Sequence, residues 1–184
     1  VSDPLDVRIF PDTALRLVVP PMTTFDEPGS KNGELRQLVL AMGGVCRVEG
    51  GAGLAATQIG RFQRMFVLME TNKPPDKAGA FAFCNPEIIG RSSESEVVTE
   101  GCLSLPGLGI DVERSLAIKL RFQDTWGQER EEEFIGWDAR VIQHETDHLN
   151  GALMIDYIDR REWFRMFTAW KEHTAAGQRY RHAA

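Results

Sequence analysis

The sequence predicts an α+β fold: antiparallel or mixed β-sheets packed around a central metal-binding helix, with one helix near the N-terminus and another near the C-terminus. Three observations carry this. Between Phe81 and Ile135 the chain breaks into short strand-like pieces separated by Pro, Gly and charged turns. On either side of that region, near Leu35 and near Arg160, apolar residues recur at helical spacing. Between the strand-like region and the last helix lies Gln143-His144-Glu145-Thr146-Asp147-His148, whose two imidazoles, four residues apart, stand on one helical face. A length of 184 residues, 42% hydrophobic and 26% charged, suits one globular domain over 1–184.

Taken in order, residues 1–30 hold Pro4, Pro11, Pro20, Pro21, Pro28 and Gly29, so an extended wrapping segment is expected there. Leu35, Leu38, Val39, Met42 and Val45 then define an amphipathic helix ending near Gly43 to Gly51. Phe66 to Met69 reads as a buried strand, and Thr71 to Gly79, with Lys73-Pro74-Pro75-Asp76-Lys77, as an exposed loop. Phe81 to Phe83, Ile88-Ile89, Val97-Val98, Ile110 to Val112, Ala117 to Phe122 and Glu131 to Ile135 are the short strands.

The metal helix is expected over Asp138 to Asn150, with Asp138 near its positive end and Asn150-Gly151 as its left-handed stop. Ala139, Ile142 and Leu149 make its other face apolar, which places it inside the domain between sheets. The last helix runs from about Arg160 to His173 (about 160–174), with Trp163, Phe167 and Trp170 on one stripe. That stripe either packs on the domain or, with Arg179-Tyr180-Arg181-His182 beyond it, docks a partner with an anionic surface.

A formal net charge of −6 gives no field to draw in nucleic acid or an anionic membrane, so direct DNA binding is not expected. No apolar run is long enough to span a bilayer. Three cysteines without paired spacing read as reduced intracellular thiols. Residue 1 is Val, so both a bacterial cytoplasmic chain and an organellar one that has lost a targeting peptide fit.

Two histidines leave a catalytic zinc-like site one protein ligand short. A metzincin protease would place its third His where Met154 stands, and a thermolysin-like site would need Glu162 or Glu172, both in the aromatic last helix. Cysteine is the remaining donor. Cys46 and Cys84 follow apolar runs and read as packed thiols, whereas Cys102 sits in Glu100-Gly101-Cys102-Leu103-Ser104-Leu105-Pro106-Gly107, where glycine and proline bend the backbone.

Three segments, Gly51-Ala52-Gly53-Leu54-Ala55-Ala56-Thr57-Gln58, Glu100-Gly101-Cys102-Leu103-Ser104 and Gln143 to His148, resemble in order and spacing the three signature motifs of the peptide deformylases. Phe10-Pro11-Asp12 with Leu15-Arg16, and Gly136-Trp137-Asp138-Ala139-Arg140, also look like that family.

The resemblance implies hydrolysis of the formyl group from N-formyl-Met nascent peptides, releasing formate, with a possible transient ribosome contact. It implies Cys102, His144 and His148 as metal ligands, a metal-bound hydroxide as nucleophile, and Glu145 as general acid and base. Gln58 and the Leu103 N–H would stabilise the oxyanion. Gly51, Ala52, Gly53, Val98, Glu100, Gly101, Trp137 and Val141 would bind substrate, the glycines letting an extended peptide pair with the loop. Asp147 would fix the tautomer of a ligating His, and Arg114 would pair with Glu100. Arg140 would contact the substrate backbone or be solvated, and solvation is the expectation. The ion implied is Fe(2+), with Zn(2+), Ni(2+) or Co(2+) as substitutes in purified protein.

Overall fold

The computed structural model describes residues 6–70 and 79–175. The loop expected from Thr71 lies outside them up to residue 78, as does the basic stretch Arg179 to His182.

The α+β architecture is as the sequence predicts. From residue 6 to the first helix the chain has no regular element besides one 3-10 turn, Thr13–Arg16, which Asp12 opens by accepting from the Ala14 N–H at 2.9 Å. The segment wraps the domain through its backbone: Arg8 N–H donates to Gln58 O (2.6 Å), Phe10 N–H to Ser104 O (2.9 Å) and Val19 N–H to Leu149 O (3.0 Å). Helix α1, Glu34–Glu49, buries Leu35, Val39, Met42 and Cys46 and is capped by the Asp26 carboxylate, which accepts from the N–H groups of Leu35 and Arg36. It runs through Gly43 and Gly44 and stops at Gly50.

Five antiparallel strands form the main sheet in the order β1-β2-β3-β6-β7: β1 (Gly53–Ala55), β2 (Met65–Met69), β3 (Ala80–Arg91), β6 (Ala117–Gln123) and β7 (Glu129–Ile135). Strands β4 (Ser95–Cys102) and β5 (Leu105–Ser115) make a separate hairpin. The pieces expected at Phe81 to Phe83 and Ile88-Ile89 are one strand. Pro86 is tolerated within it because the register against β6 shifts between Cys84 and Glu87, where a ladder donor is not required. Strand β1 has no counterpart among the expected strands, since three residues between a glycine pair and a 3-10 turn carry no alternation to detect.

Helix α2, Gly136–Leu149, begins two residues earlier than expected and is followed by Gly151 in the left-handed region, φ 71°. Its apolar residues Ala139, Ile142 and Leu149 are fully buried against Phe66, Leu120 and Phe122 of the sheet. On the opposite side of the sheet, α1 packs over Met65, Val67 and Met69. A third cluster joins Leu105, Ile110 and Val112 of β5 to Leu15, Met154 and the last helix, α3 (Arg160–Ala175). There Trp163, Phe167 and Trp170 surround the Phe10 ring at centroid distances of 5.6, 6.0 and 6.4 Å, so the aromatic stripe is packing surface. Among the described residues no helix is long and apolar enough to cross a membrane.

Candidate metal centre

Two rows of side chains face each other across the molecule. On β4, alternate residues point the same way, so Glu100 and Cys102 are both buried while Thr99 and Gly101 are exposed. On α2, Arg140, His144 and His148 follow at intervals of four and share one face. The rows meet. Cys102 Sγ lies 3.3 Å from His148 Nε2, and one donor atom from each of Cys102, His144 and His148 falls within 4.8 Å of the others. The His144 Nδ1 lies 3.0 Å from Glu100 Oε2, which leaves the Nε2 side of that ring for the thiol and its neighbours. Sulfur and two imidazoles within such a span suit a divalent ion with an open fourth position.

The charges around this cluster favour a cation within it. Burial would raise Glu100, but hydrogen bonds from His144 and Arg114 hold its carboxyl down at about 2. Burial works to neutralise both imidazoles. It prevails at His148, helped by the positive neighbours His144 and Arg114, whereas at His144 the Cys102 sulfur and Glu100 overcome it and draw in a proton. A ring placed between the Cys102 sulfur and a carboxylate is a ring beside which positive charge is stabilised, whether a proton or a metal supplies it.

Glu145, beside His144 and one turn after Val141, is buried, with Oε2 lacking a protein partner among the described residues. Burial pushes its carboxyl up to about 7; His144 opposes the rise and Glu100 adds to it. Gly53 makes room for it: a Cβ there would lie 2.7 Å from Glu145 Oε1 and 2.8 Å from Val141 Cγ1. Gln58, in the 3-10 turn Ala56–Ile59, is fixed in orientation because its Oε1 accepts from the Ala55 N–H at 2.8 Å. Its Nε2 is thereby aimed at Ser104 Oγ (3.2 Å) and Cys102 Sγ (3.6 Å).

These groups open on a cavity of about 230 Å³. Gly51, Ala52 and Gly53 form one wall, Gly101, Cys102 and Leu103 another, and Trp137, Val141, His144 and Glu145 of α2 a third, with Gln58 between them. Gly53 starts the edge strand β1, which among the described strands pairs with β2 alone.

Four expectations change. Val98 does not line the cavity; it is half-buried on β4 opposite Val112, on the same side of the strand as Glu100 but one step further from the cavity. Glu100 does reach the wall, but both oxygens are taken, by Arg114, Arg140 and His144, so it braces ligands and has no oxygen left for substrate. Asp147 reaches neither histidine ring: its Oδ2 accepts from Arg114 Nη1 (2.6 Å) and the Tyr157 hydroxyl (2.8 Å), so it holds the Arg114 that holds Glu100. Arg140 is buried, donating to Glu100 Oε1, Val112 O and Glu96 O. The pairing of Arg114 with Glu100 is as expected, bidentate at 2.9 Å from both Nε and Nη2. Ser104 and Ala55, which orient Gln58, had no sequence signal beyond lying in the motifs. Arg140 had one: it stands four residues before His144.

Comparison with known proteins agrees with the geometry. The family model described as polypeptide deformylase matches residues 4–163. The chain is 43% identical over 152 residues to a peptide deformylase of Thermotoga neapolitana, covering 83% of this chain and 85% of that protein. A crystal structure of peptide deformylase from Thermotoga maritima superposes with a TM-score of 0.75 at 42% identity, over 84% of this chain and 97% of that one. A Met-Ala-Ser-bound peptide deformylase from Acinetobacter baumannii superposes with a TM-score of 0.75 at 33% identity, over 86% of this chain and all of that one, 100%.

Proposed function

The chain belongs to the polypeptide deformylase family, whose members are metal-dependent hydrolases, and on that premise we propose that it removes the N-formyl group from the formyl-methionine of newly made polypeptides, releasing formate. The observation that carries the reading is the convergence of Cys102, His144 and His148 at the floor of a cavity that Cys102, His144 and the buried Glu145 line.

Cys102, His144 and His148 would hold the ion, proposed to be iron(II), with zinc, nickel or cobalt as substitutes in purified protein. When bound, the ion supplies a Lewis acid that polarises a carbonyl and makes water acidic enough to be a nucleophile near neutral pH. Glu145 takes the water proton on its unpartnered Oε2 and delivers it to the amine as the C–N bond breaks; a carboxyl raised to about 7 can do both near neutrality. Gln58 Nε2 and the Leu103 N–H donate to the formyl oxygen as it gains charge, each worth about 3 kcal/mol in a dry site. Val141 and Trp137 offer apolar surface to the methionine side chain, and the edge strand β1 offers backbone groups to an extended peptide. The Met-Ala-Ser ligand of the Acinetobacter relative is of the kind such a cavity would take. A transient contact with the ribosome belongs to the same proposal and is read by co-sedimentation.

The test is formate release by anaerobically prepared protein with added iron(II). Formyl-Met-Ala-Ser is cleaved and acetyl-Met-Ala-Ser remains intact; equal rates on both would overturn the specificity. In parallel, Cys102→Ala should lose the metal, and stoichiometric metal in that variant would overturn the ligand set.

A further inference from the structure

We propose that Arg140 is a positioning residue that sets the register of α2 against β4, and so the separation of the Cys102 sulfur from the two imidazoles. The inference rests on the Cys102–His144–His148 reading of the metal centre.

The argument begins with two repeats. Two residues of strand advance about 6.6 Å and four residues of helix advance about 6.0 Å, so a strand row at i, i+2 and a helix row at i, i+4 nearly match in pitch. Glu100 and Cys102 make the first row; Arg140, His144 and His148 make the second. A displacement of one row against the other, beyond what the packing of Ala139, Ile142 and Leu149 on the sheet already resists, would carry Cys102 out of reach of both imidazoles.

Arg140 prevents that. Its Nη1 donates to Glu100 Oε1 at 2.8 Å and to Val112 O at 2.9 Å, and its Nη2 donates to Glu96 O at 2.6 Å. Two of these acceptors are backbone carbonyls, one on β4 and one on β5, so the guanidinium is tied to the hairpin itself as well as to a side chain. The remaining Glu100 oxygen faces His144 Nδ1 at 3.0 Å. Arg140 therefore fixes the carboxylate that orients His144, from a position one turn before His144 on the same helix. A planar guanidinium spans three acceptors in this way; an ammonium, a point charge, does not.

Although Arg140 reaches the cavity wall, its two terminal nitrogens are committed to the hairpin, so it acts through Glu100 and His144 and not on substrate. Asp147 and Gln143 also link α2 to the hairpin, through Arg114 and Ser115 O, and Gln143 is held besides by Arg91 of β3; of these three residues Arg140 alone bonds Glu100 directly and a carbonyl on each strand.

The experiment compares cobalt(II)-loaded wild type, Arg140→Leu, Arg140→Lys and Arg91→Ala. The readouts are the thiolate-to-cobalt absorption, the rate of cobalt loss to a chelator, and the melting temperature of each metal-free protein. Arg140→Leu should lose cobalt roughly 10- to 100-fold faster than wild type, the range seen when a residue bracing a metal ligand is removed. Arg140→Lys, which keeps the charge and folds more readily, should fall between, and millimolar guanidinium should slow cobalt loss from Arg140→Leu. Arg91→Ala should lower the melting temperature and leave the cobalt spectrum and release rate unchanged.

Release from both Arg140 variants within twofold of wild type would overturn the proposal, whatever their melting temperatures. So would a raised KM for formyl-Met-Ala-Ser with unchanged cobalt release, which would make Arg140 a substrate contact. Failure of the wild type itself to bind cobalt(II) with a thiolate band would instead overturn the metal-centre reading.

Discussion

Two networks of charged side chains in this molecule use the same residue types to opposite effect. Around Glu100, Arg114, Arg140, Asp147 and His144 the distances run from 2.6 to 3.0 Å, and Glu100 and Arg114 are only 5% and 4% exposed. Across β3, β6 and β7, Lys119, Arg121, Glu87, Glu129 and Glu131 form a ladder at 2.8 to 4.0 Å, open to solvent. Water and salt screen the ladder and let each member find other partners. Buried charges have no such alternative, so each must be matched by geometry. The difference teaches where the fold spends its specificity: the buried network joins the Cys102 hairpin to the histidine helix, whereas the ladder lies on β6 and β7, away from the cavity walls.

The largest effect expected is at a residue outside both networks. Glu145 is buried among charges yet keeps an oxygen unpartnered, which is costly for folding and useful for proton transfer. Glu145→Gln should therefore reduce turnover of formyl-Met-Ala-Ser roughly 10²- to 10⁴-fold. Metal content should be kept and thermal stability equal or raised. A fall in both activity and metal content would move Glu145 from proton carrier to ligand support. Next comes the hub of the buried network. Glu100→Ala leaves Arg114 and Arg140 buried without their shared carboxylate and should destabilise the metal-free protein by about 3–5 kcal/mol in urea unfolding. A loss smaller than 1 kcal/mol would mean that the network relaxes like a surface one and that the contrast drawn above fails.

How far the sequence revealed these features depended on the range of the interaction behind each. Helix α2, its apolar face and its His-x-x-x-His spacing were legible because helical periodicity is local. Cys102 stood apart from the other cysteines because glycine and proline around it bend the backbone, and the resemblance of its motif implied it as a ligand. Arg140 was misread as solvated because its acceptors lie 28 to 44 residues away, on strands whose approach no local pattern encodes. Asp147 was given to a histidine on grounds of proximity in sequence, but on a helix adjacent residues point apart, and its partner Arg114 comes from β5. Val98 shares the buried side of β4 in sequence parity with Glu100, and only the position of the cavity shows that the wall begins past it.

A smaller effect separates buried charge from buried sulfur. Cys46 and Cys84 lie in the α1 cluster, where burial chiefly, with nearby carboxylates adding, pushes both thiols up to about 12. At pH 8 about one such thiol in ten thousand is ionised, and neither is accessible. Cys102 is also buried but lines the cavity, so the metal-free native protein should react with a small thiol reagent at that one site, and the unfolded protein at all three cysteines. Raising the pH to 9 should not change the native count, because the folded thiols stay far below half-ionisation. Two or more thiols reacting within minutes would show that the α1 cluster opens in the native state.

The smallest effect expected is at the exposed ladder. Arg121 lies between Glu87, Glu129 and Glu131, and losing it leaves three carboxylates that solvent hydrates directly. Arg121→Ala should therefore shift the melting temperature by less than about 2 °C, and the shift should vanish in molar salt, where the screening length is about 3 Å. The same salt should leave the Glu100→Ala loss nearly intact, since ions do not enter the space between Glu100 and Arg114. Measuring both variants at low and high salt tests the comparison directly: equal salt dependence would show that burial is not what distinguishes the two networks.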